Sequence, residues 1–287
     1  MKRVLVISFL SCIFLYTSAN SKENITSPVY DTLRTDAICP IIYPDTTGNE
    51  TLRAFRKAFQ LREMVKNQEG DLQKAIELLH WTSNRWQHNG GHSAGTSDAF
   101  EILSRAAAGE GFSCAEYAVV LATAANAIGI PARVVNLKIR EAETAVSGAG
   151  HSLTEVYIRE LKKWVMMDPQ SDLVAFSEGQ PLSAMELRKA IDTAPTEIEV
   201  LFKGEWGSEN LLKQVINWYS PYLYFFDTAF DNRYGISKKR SCSGDTRLFL
   251  VPLGEKAPEI FQGHHPLTGF STTHSVADFY QEPVFEP

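Results

Sequence analysis

The sequence is poor in several features that mark particular classes of protein. Its 287 residues include only four cysteines, 18 glycines and 13 prolines, which excludes a disulfide-rich scaffold, a collagen-like repeat and a low-complexity fibre. It has no long block of lysine or arginine, and its formal net charge is −6. Because nucleic acids bind to concentrated basic surfaces, we expect no nucleic-acid partner. With 44% hydrophobic and 11% aromatic residues, the composition predicts a globular protein with a large core.

The most continuous apolar run lies at the N-terminus and is too short to span a bilayer comfortably. It covers residues 4–16, follows Lys2 and Arg3, and is followed by small residues up to Ala19. This pattern is typical of a secretory signal peptide. We therefore predict that residues 1–19 are removed and that the mature protein is exported, to the periplasm or the extracellular space, without a stable membrane span.

The four cysteines have different predicted fates. Cys12 leaves a lipoprotein alternative open, although the residues from Phe9 onward fit the lipidation motif poorly and apolar residues continue past the cysteine. Removal of the signal peptide leaves three cysteines, and an odd number leaves at least one thiol without an internal partner. We hypothesise that Cys39 and Cys242 form a disulfide, with Cys114 as the odd thiol.

The order of the predicted elements indicates an α+β fold rather than a repeated β-α-β one. Helical periodicity and capping residues predict the helices, and short apolar runs bounded by turn residues predict the strands. One helix is predicted over 52–65, and a second begins after an N-cap at Asp71. A third runs from a capping pair at Asp98 and Glu101 to near Gly109, and a fourth runs from Cys114 to Gly129. A fifth begins at a capping box of Ser183 and Glu186. The predicted strands cover 132–139, 151–158, 163–168, 197–202 and 247–251.

Cys114 lies where a reactive thiol is best placed, at the predicted first turn of a helix that is apolar on most sides. The free backbone N–H groups and the dipole at that end favour a thiolate and stabilise an oxyanion that develops beside the sulfur. Taken alone, this position is modest evidence, since most free cysteines are small buried hydrophobes.

The strands predicted over 151–158 and 163–168 place a histidine and an aspartate on one face of a sheet. In an antiparallel hairpin, directly opposed residues have a constant sum of residue numbers. For His151 and Asp168 this sum is 319, so a register of 319 opposes them directly and one of 321 sets them diagonally. In either register the carboxylate reaches the imidazole and fixes its tautomer, an arrangement that suits thiol acyl-transfer chemistry. In the alternative interpretation neither residue is catalytic. Asp168 caps the turn before Pro169, and His151 is a surface histidine.

Four blocks of residues resemble the transglutaminase-like superfamily, of an exported bacterial type, over about residues 70–170. The blocks are Gly111 to Tyr117 (GFSCAEY), Ala127 to Val134 (AIGIPARV), His151 with Glu155 to Tyr157, and Lys163 to Val165 with Asp168 and Pro169. Their order makes the resemblance more specific than any single motif. It implies a papain-like core in which a central helix bearing the nucleophile packs on an antiparallel sheet.

The same resemblance implies the roles of the site residues. Cys114 is the implied nucleophile, His151 the general base and acid, and Asp168 the residue that orients the imidazole. An oxyanion hole combines the N–H of Cys114 with a donor from an upstream segment, for which Trp86 and Gln87 are the candidates. No cofactor and no metal are expected.

The resemblance also suggests how the chain is divided. Glu116, Tyr117 and Arg133 match positions of the family that we interpret as structural. The predicted segments are a signal peptide over 1–19, an N-terminal lead-in and helix over 20–69, the transglutaminase-like core over 70–170, and a C-terminal extension containing helices and strands over 171–287.

Other candidate site residues are weaker. His88 and His92 stand four residues apart, as metal ligands on a helix do, but two glycines lie between them and no nearby cysteine completes a site. The pair His264 and His265 lies in a loop predicted to face solvent. The aromatic-rich stretch over 218–234 lines either a sugar or peptide groove or, by default, a buried core.

Together these features predict an exported thiol enzyme that acts on amide bonds of peptides or proteins, including cell-envelope or glycosylated ones. The outcomes considered are hydrolysis, deamidation and acyl transfer, with hydrolysis favoured because excluding water requires a dedicated tunnel. Two alternatives stay open. One is a non-catalytic envelope binding or scaffold protein that keeps the fold, and the other is a zinc-dependent hydrolase.

Overall fold

The computed structural model describes residues 27–35, 38–45, 48–236 and 238–286. The predicted signal peptide over residues 1–19 and the alternative lipidation site at Cys12 lie outside these ranges. Within them, no helix has the length and apolar character needed to cross a membrane.

The chain folds into helices and strands in mixed order. The helices are α1 (Glu50–Ala58), α2 (Leu61–Met64), α3 (Gly70–Ser83), α4 (Ala99–Ala107), α5 (Cys114–Ala127), α6 (Ala184–Thr193), α7 (Glu209–Tyr219) and α8 (Val276–Phe279). The strands are β1 (Ile42–Pro44), β2 (Ala132–Lys138), β3 (Gly150–Ile158), β4 (Lys163–Met167), β5 (Leu173–Ser177), β6 (Gln180–Pro181), β7 (Ile198–Phe202), β8 (Glu205–Trp206), β9 (Phe225–Ala229), β10 (Arg247–Leu250), β11 (Ile260–Phe261), β12 (His265–Pro266), β13 (Phe270–Thr273) and β14 (Val284–Glu286).

A six-stranded sheet in the order β13-β10-β9-β2-β3-β4 forms the largest layer. Its neighbouring strands are antiparallel, except that β10 and β13 are parallel. A four-stranded sheet has the order β6-β5-β7-β8, β1 pairs with β14, and β11 pairs with β12. The α+β fold class is confirmed, with the central helix α5 packed on β2 and β3.

Two apolar cores lie on opposite faces of the β2-β3-β4 part of the large sheet. Val156 and Val165 pack with helices α1, α3, α4 and α5 on one face. Leu153 and Met166 pack with α6, α7 and C-terminal strands on the other. Successive residues of a strand point to opposite faces, so β4, which is covered on both sides, is apolar without alternation from Trp164 to Met167.

Helix α5 is held on the sheet at its middle and at its C-terminal end. The Thr154 hydroxyl of β3 donates to the carbonyl of Ala118 at 2.9 Å. The Asn126 side-chain amide donates to the Ala132 carbonyl at 2.8 Å and so ties the helix end to the start of β2. Gly129 takes the left-handed conformation, with φ of 94°, that ends the helix there. These contacts fix the position of the helix N-terminus, where Cys114 lies.

Two predictions for the N-terminal helices are wrong in detail. The single helix predicted over 52–65 is divided into α1 and α2, because Gln60 has a left-handed backbone with φ of 52°. Asp71 lies inside the first turn of α3 rather than capping it. Its carboxylate instead binds the Arg159 guanidinium, with 2.6 Å between Oδ2 and Nε. A charged partner from the β3-β4 turn replaces the local capping bond.

The predictions around the hairpin are confirmed. Strands β3 and β4 pair with residue numbers that sum to 321, as in Val156 opposite Val165. This diagonal register puts His151 and Asp168 on one face. Strand β4 ends at Met167, one residue earlier than predicted, because Asp168 pairs with Leu173 in an isolated bridge.

Two predicted helix starts are also confirmed. Asp98 caps α4 by accepting the N–H of Phe100 at 2.8 Å. The capping box of Ser183 and Glu186 opens α6.

The chain after residue 170 contributes strands β9, β10 and β13 to the same sheet as the hairpin. The predicted division of the chain at residue 171 stays a prediction. The hypothesised disulfide between Cys39 and Cys242 is confirmed, with the two Cα atoms 5.6 Å apart. It joins the lead-in to the C-terminal region across a sequence separation of 203 residues.

Arg133 links the sheet to the C-terminal end of the chain. Its fully buried guanidinium binds Glu155 at 2.8 Å, between Nη2 and Oε2, and donates to the Phe279 carbonyl at 2.7 Å. The same group lies 4.4 Å from the centre of the Trp164 ring. The interpretation of Arg133 as a structural residue agrees with these contacts.

We predict that Arg133→Met lowers the free energy of unfolding by about 3–5 kcal/mol, because it leaves the Glu155 carboxylate buried without its cation. Chemical denaturation monitored by circular dichroism measures this loss. Arg62→Met is the matched control, since Arg62 is exposed on α2 and should change stability by no more than about 0.5 kcal/mol. Equal effects of the two substitutions would contradict the structural role.

Candidate active site

The structure brings His151 and Asp168 into direct contact. His151 stands at the second position of β3, and Asp168 follows the last residue of β4. Nε2 of the imidazole lies 2.8 Å from Oδ2 of the carboxylate, and both side chains are buried. Because the ring uses Nε2 toward the carboxylate, Nδ1 is the nitrogen available to a thiol.

The Asp168 carboxylate is held by donors on both of its oxygens. The backbone N–H groups of Gln170 and Ser171 donate to Oδ1, at 2.9 and 3.4 Å. The Tyr219 hydroxyl donates to Oδ2, the same oxygen that contacts His151. Although burial raises the pKa of Asp168, the charge and hydrogen bond of His151 and these other donors lower it more, so the carboxylate is ionised.

Tyr219 is a site residue that the sequence analysis missed. It is the last residue of α7 and lies outside the four motif blocks. Its neighbour Trp218, which is 40% exposed, meets the His151 ring edge to face with 4.7 Å between ring centres. Tyr222 lies 6.1 Å from the same ring. Part of the aromatic-rich stretch therefore surrounds the imidazole, and the only sequence signal was its aromatic density.

Cys114 begins helix α5, as predicted, and its thiol is free and half-buried. The His151 side chain and the backbone of Ser152 lie beside the sulfur and both stabilise its thiolate form. The imidazole of His151 thus lies between the Cys114 thiol and the Asp168 carboxylate, to which it is hydrogen-bonded.

These interactions shift the pKa values of Cys114 and His151 in the directions that favour an ion pair between them. Burial raises the pKa of Cys114, but the hydrogen bond and charge of His151 outweigh it, so the thiol pKa lies below its ordinary value. Burial lowers the pKa of His151, but the charge and hydrogen bond of Asp168 outweigh it and raise this pKa to about 10. A thiolate beside an imidazolium is the favoured state between the two pKa values.

The segment before Cys114 is joined by backbone hydrogen bonds to residues 89–92. The N–H of Asn89 donates to the Phe112 carbonyl at 2.9 Å, and the N–H of Ser113 donates to the His92 carbonyl at 3.1 Å. At Gly111 a Cβ atom would lie 2.4 Å from the carbonyl oxygen of Gln87, so this close approach requires glycine.

Glu116 and Tyr117 hold the same segment from the first turn of α5. The buried Glu116 carboxylate accepts the hydroxyl groups of Ser113, at 2.6 Å, and Ser93, at 2.7 Å. The Tyr117 hydroxyl donates to the Trp86 carbonyl at 2.7 Å. These contacts agree with the interpretation of both residues as structural.

The two oxyanion candidates differ in their surroundings. The Trp86 ring packs against Tyr117, with 4.2 Å between ring centres, three residues after Cys114. Within the described parts of the chain, Trp86 Nε1 is buried and has no hydrogen-bond acceptor. Gln87 is exposed. Trp86 therefore holds an unused N–H donor beside the first turns of α5.

The histidines considered as metal ligands do not converge. Desolvation and the charge of His151 lower the pKa of His88, which reflects its position near that ring. His92 Nε2 instead lies 3.2 Å from a carboxylate oxygen of Glu110. Over the residues that the structure covers, no group of three or more histidine, cysteine or acidic side chains is arranged to hold a metal ion. His264 and His265 are exposed, as predicted.

Residues 59–169 match the sequence model of the transglutaminase-like superfamily. The resemblance found in the motifs is therefore confirmed over that segment. Cys114, His151 and Asp168 all lie within it, whereas Tyr219 does not. No curated protein sequence matches the chain.

Several solved structures are similar to parts of the chain. A candidate cysteine protease from Cytophaga hutchinsonii has 16% identity and a TM-score of 0.35, over 63% of this chain and 57% of that one. A structure described as a TGase has 20% identity and a TM-score of 0.29, over 42% of this chain and 30% of that one. A candidate protease from Parabacteroides distasonis has 12% identity and a TM-score of 0.31, over 55% and 27%. The match spans little more than half of the first of these proteins.

We predict that Tyr219→Phe slows iodoacetamide labelling of Cys114 at neutral pH by about tenfold and moves the acidic limb of its pH profile to higher pH. The variant keeps the ring but removes one charge-assisted hydrogen bond, worth about 1.5–3 kcal/mol, from Asp168. Without this donor the Asp168 carboxylate is no longer held in line with Nε2 of His151. It therefore stabilises the imidazolium less, and the pKa of Cys114 rises. Labelling at a series of pH values, followed by peptide mapping, measures the shift.

Tyr280→Phe is the matched control for this prediction. Its hydroxyl donates to the Glu155 carboxylate at 2.9 Å, away from the candidate site. It should lower stability without moving the labelling profile. A Tyr219→Phe profile that superimposes on that of the wild type would show that Tyr219 serves packing alone.

Proposed function

We propose that the protein is an exported enzyme that acts on amide bonds of peptides or proteins through a thioester at Cys114. The observation that carries this proposal is the position of His151, whose imidazole is hydrogen-bonded to the buried carboxylate of Asp168 and lowers the pKa of the Cys114 thiol beside it. Such an arrangement supplies a nucleophile and an adjacent proton carrier together with a third group that orients the carrier. In this proposal Cys114 and His151 are catalytic residues, and Asp168 and Tyr219 are positioning residues.

The first half of the reaction forms the thioester. The Cys114 thiolate attacks the carbonyl carbon of the amide, and the tetrahedral intermediate carries its negative charge on oxygen. The C–N bond then breaks while the His151 imidazolium gives its proton to the leaving nitrogen. An amine leaves when a peptide bond is cut, and ammonia leaves when a side-chain amide reacts.

The second half resolves the thioester. Neutral His151 takes a proton from water as the water oxygen bonds to the carbonyl carbon, and the C–S bond breaks. The carboxylic acid is released, and the thiolate and imidazolium are restored. An amine in place of water gives a new amide by the same proton transfers. We favour water, because Cys114 is half-buried rather than enclosed, and acyl transfer to an amine needs water to be excluded.

We further propose that the Trp86 indole N–H and the Cys114 backbone N–H stabilise the oxyanion. The support for Trp86 over Gln87 is its buried Nε1, which has no acceptor among the described residues and lies beside the first turns of α5. A donor held in place before the reaction needs no reorganisation when charge develops on the substrate oxygen.

We predict that iodoacetamide selectively labels Cys114 of the wild-type protein near neutral pH, because only the thiolate reacts and the pKa of this thiol is lowered. In His151→Ala the imidazolium is lost while burial still raises the thiol pKa. Labelling at neutral pH should fall, and the rate should recover only above about pH 8.5. The rate at each pH is measured by peptide mapping.

His264→Ala is the control for this experiment, since His264 is exposed and should leave the profile unchanged. Labelling of wild-type Cys114 no faster than a free model thiol would count against an enzyme. It would favour a non-catalytic binding protein that keeps the fold.

A further inference from the structure

A groove of about 970 Å³ runs along one side of α5. Its helix wall is made by Ala115, Val119 and Thr123, which lie four residues apart and therefore on one face. Val134 and Asn136 of β2 line the sheet wall, which continues onto β9 and β10. The volume lies at the upper end of the range of about 300–1,000 Å³ that is typical of ligand sites. We call this feature the α5 groove.

One end of the α5 groove adjoins the proposed nucleophile. Ala115 directly follows Cys114 in the first turn of α5. On the sheet wall, Asn136 accepts the Ser152 hydroxyl at 2.8 Å, and the backbone of Ser152 contacts the Cys114 sulfur. Cys114 does not itself line the groove, but a peptide that leaves the groove at this end would pass the first turn of α5, where the thiol lies.

The sheet wall of the groove carries more positive than negative charge. The buried Asp227 carboxylate binds both Lys138 and the Arg247 guanidinium, whose Nε lies 2.6 Å from Oδ1. Lys138 is buried, whereas the Arg247 side chain is 28% exposed and lines the groove. Two cations on one carboxylate leave one positive charge uncompensated, and Arg247 presents it to a ligand.

The loop that faces the sheet wall, over residues 231–240, also has more cations than carboxylates. Asp231 accepts Arg233 Nη2 at 2.7 Å and the backbone N–H of Arg240 at 2.8 Å. The Arg240 guanidinium binds Glu286 at 2.7 Å and is 57% exposed. Lys239 adds a third cation to these two carboxylates, and its Nζ donates to the Arg233 carbonyl.

One further carboxylate lies at the rim of the groove. Asp98 lines it and caps α4 through the N–H of Phe100. The basic walls stand out because the chain as a whole carries a formal charge of −6. The charged side chains that line the groove are four cations (Arg233, Lys239, Arg240 and Arg247) and two carboxylates (Asp98 and Asp231), and an excess of positive charge concentrates anionic ligands.

We propose that the α5 groove binds the substrate as an acidic peptide segment, with carboxylate side chains beside the reacting amide that meet Arg247 on one wall and Lys239 and Arg240 on the other. This inference rests on the proposed function for the position of the reacting amide. It adds a substrate class, peptides and proteins with acidic residues next to the site of reaction.

Binding to the full-length Cys114→Ala variant tests the inference without requiring the chemical step. Two fluorescent peptides are compared, one with glutamates flanking a central glutamine and one with glutamines at the same positions. At about 50 mM salt the acidic peptide should bind at least about tenfold more tightly, and at about 500 mM salt the difference should narrow. Fluorescence anisotropy measures both affinities.

Variants identify the groove as the site of binding. Lys239→Gln with Arg240→Gln changes two exposed side chains and should weaken binding of the acidic peptide at least about fivefold without changing the neutral one. Arg247→Gln should act in the same direction, with its melting temperature checked because Asp227 is buried. Lys213→Gln is the control, since Lys213 is an exposed lysine of α7 away from the groove.

Equal affinity for the two peptides would overturn the inference, as would a preference that the groove variants leave unchanged. Inorganic phosphate that competes at the same concentration as the acidic peptide would also overturn it, because the site would then be one for free anions. Each of these results is compatible with rapid labelling of Cys114. A failure of the inference is therefore distinguishable from a failure of the proposed function.

Discussion

The hydrogen bond between His151 and Asp168 is the contact on which the rest of the candidate site depends. It fixes the imidazole by its Nε2 atom, leaves Nδ1 for the thiol, and provides the negative charge that keeps the ring protonated. Without it, burial would lower the pKa of His151 and raise that of Cys114, and both groups would be neutral. Two strands in the correct register, a backbone turn after Asp168 and a tyrosine from a distant helix all serve to hold this one contact.

The sequence predicted the parts of the site that depend on local pattern. Helix and strand periodicity predicted the cysteine at a helix start, the two strands of the hairpin and the face that they share. The pairing register was narrowed to two possibilities, in which the numbers of opposed residues sum to 319 or to 321. Tyr219 could not be predicted, because it approaches Asp168 from 51 residues away in the chain. The division of α1 from α2 at Gln60 was also missed, since an amide side chain gives no local sign of a left-handed backbone.

The C-terminal region completes the site rather than simply following the core. Its strands extend the sheet that carries His151, its helix α7 supplies Tyr219 and Trp218, and Arg247 of β10 lines the α5 groove. Arg133, through the Phe279 carbonyl, and the disulfide from Cys39 to Cys242 attach this region to the rest of the chain. The geometry of the triad and the shape of the groove therefore depend on long-range contacts that short motifs do not encode.

Trapping the acyl-enzyme tests the central claim most directly. The full-length protein is mixed with an activated ester of a glutamate-containing peptide, quenched in acid after short times, and analysed by intact mass and peptide mapping. The account predicts that the wild type gains the mass of one acyl group on the peptide containing Cys114. It also predicts that Cys114→Ala gains none and releases no product above the uncatalysed rate. Product formation by Cys114→Ala, or turnover by the wild type with the acyl group on another residue, would contradict the account.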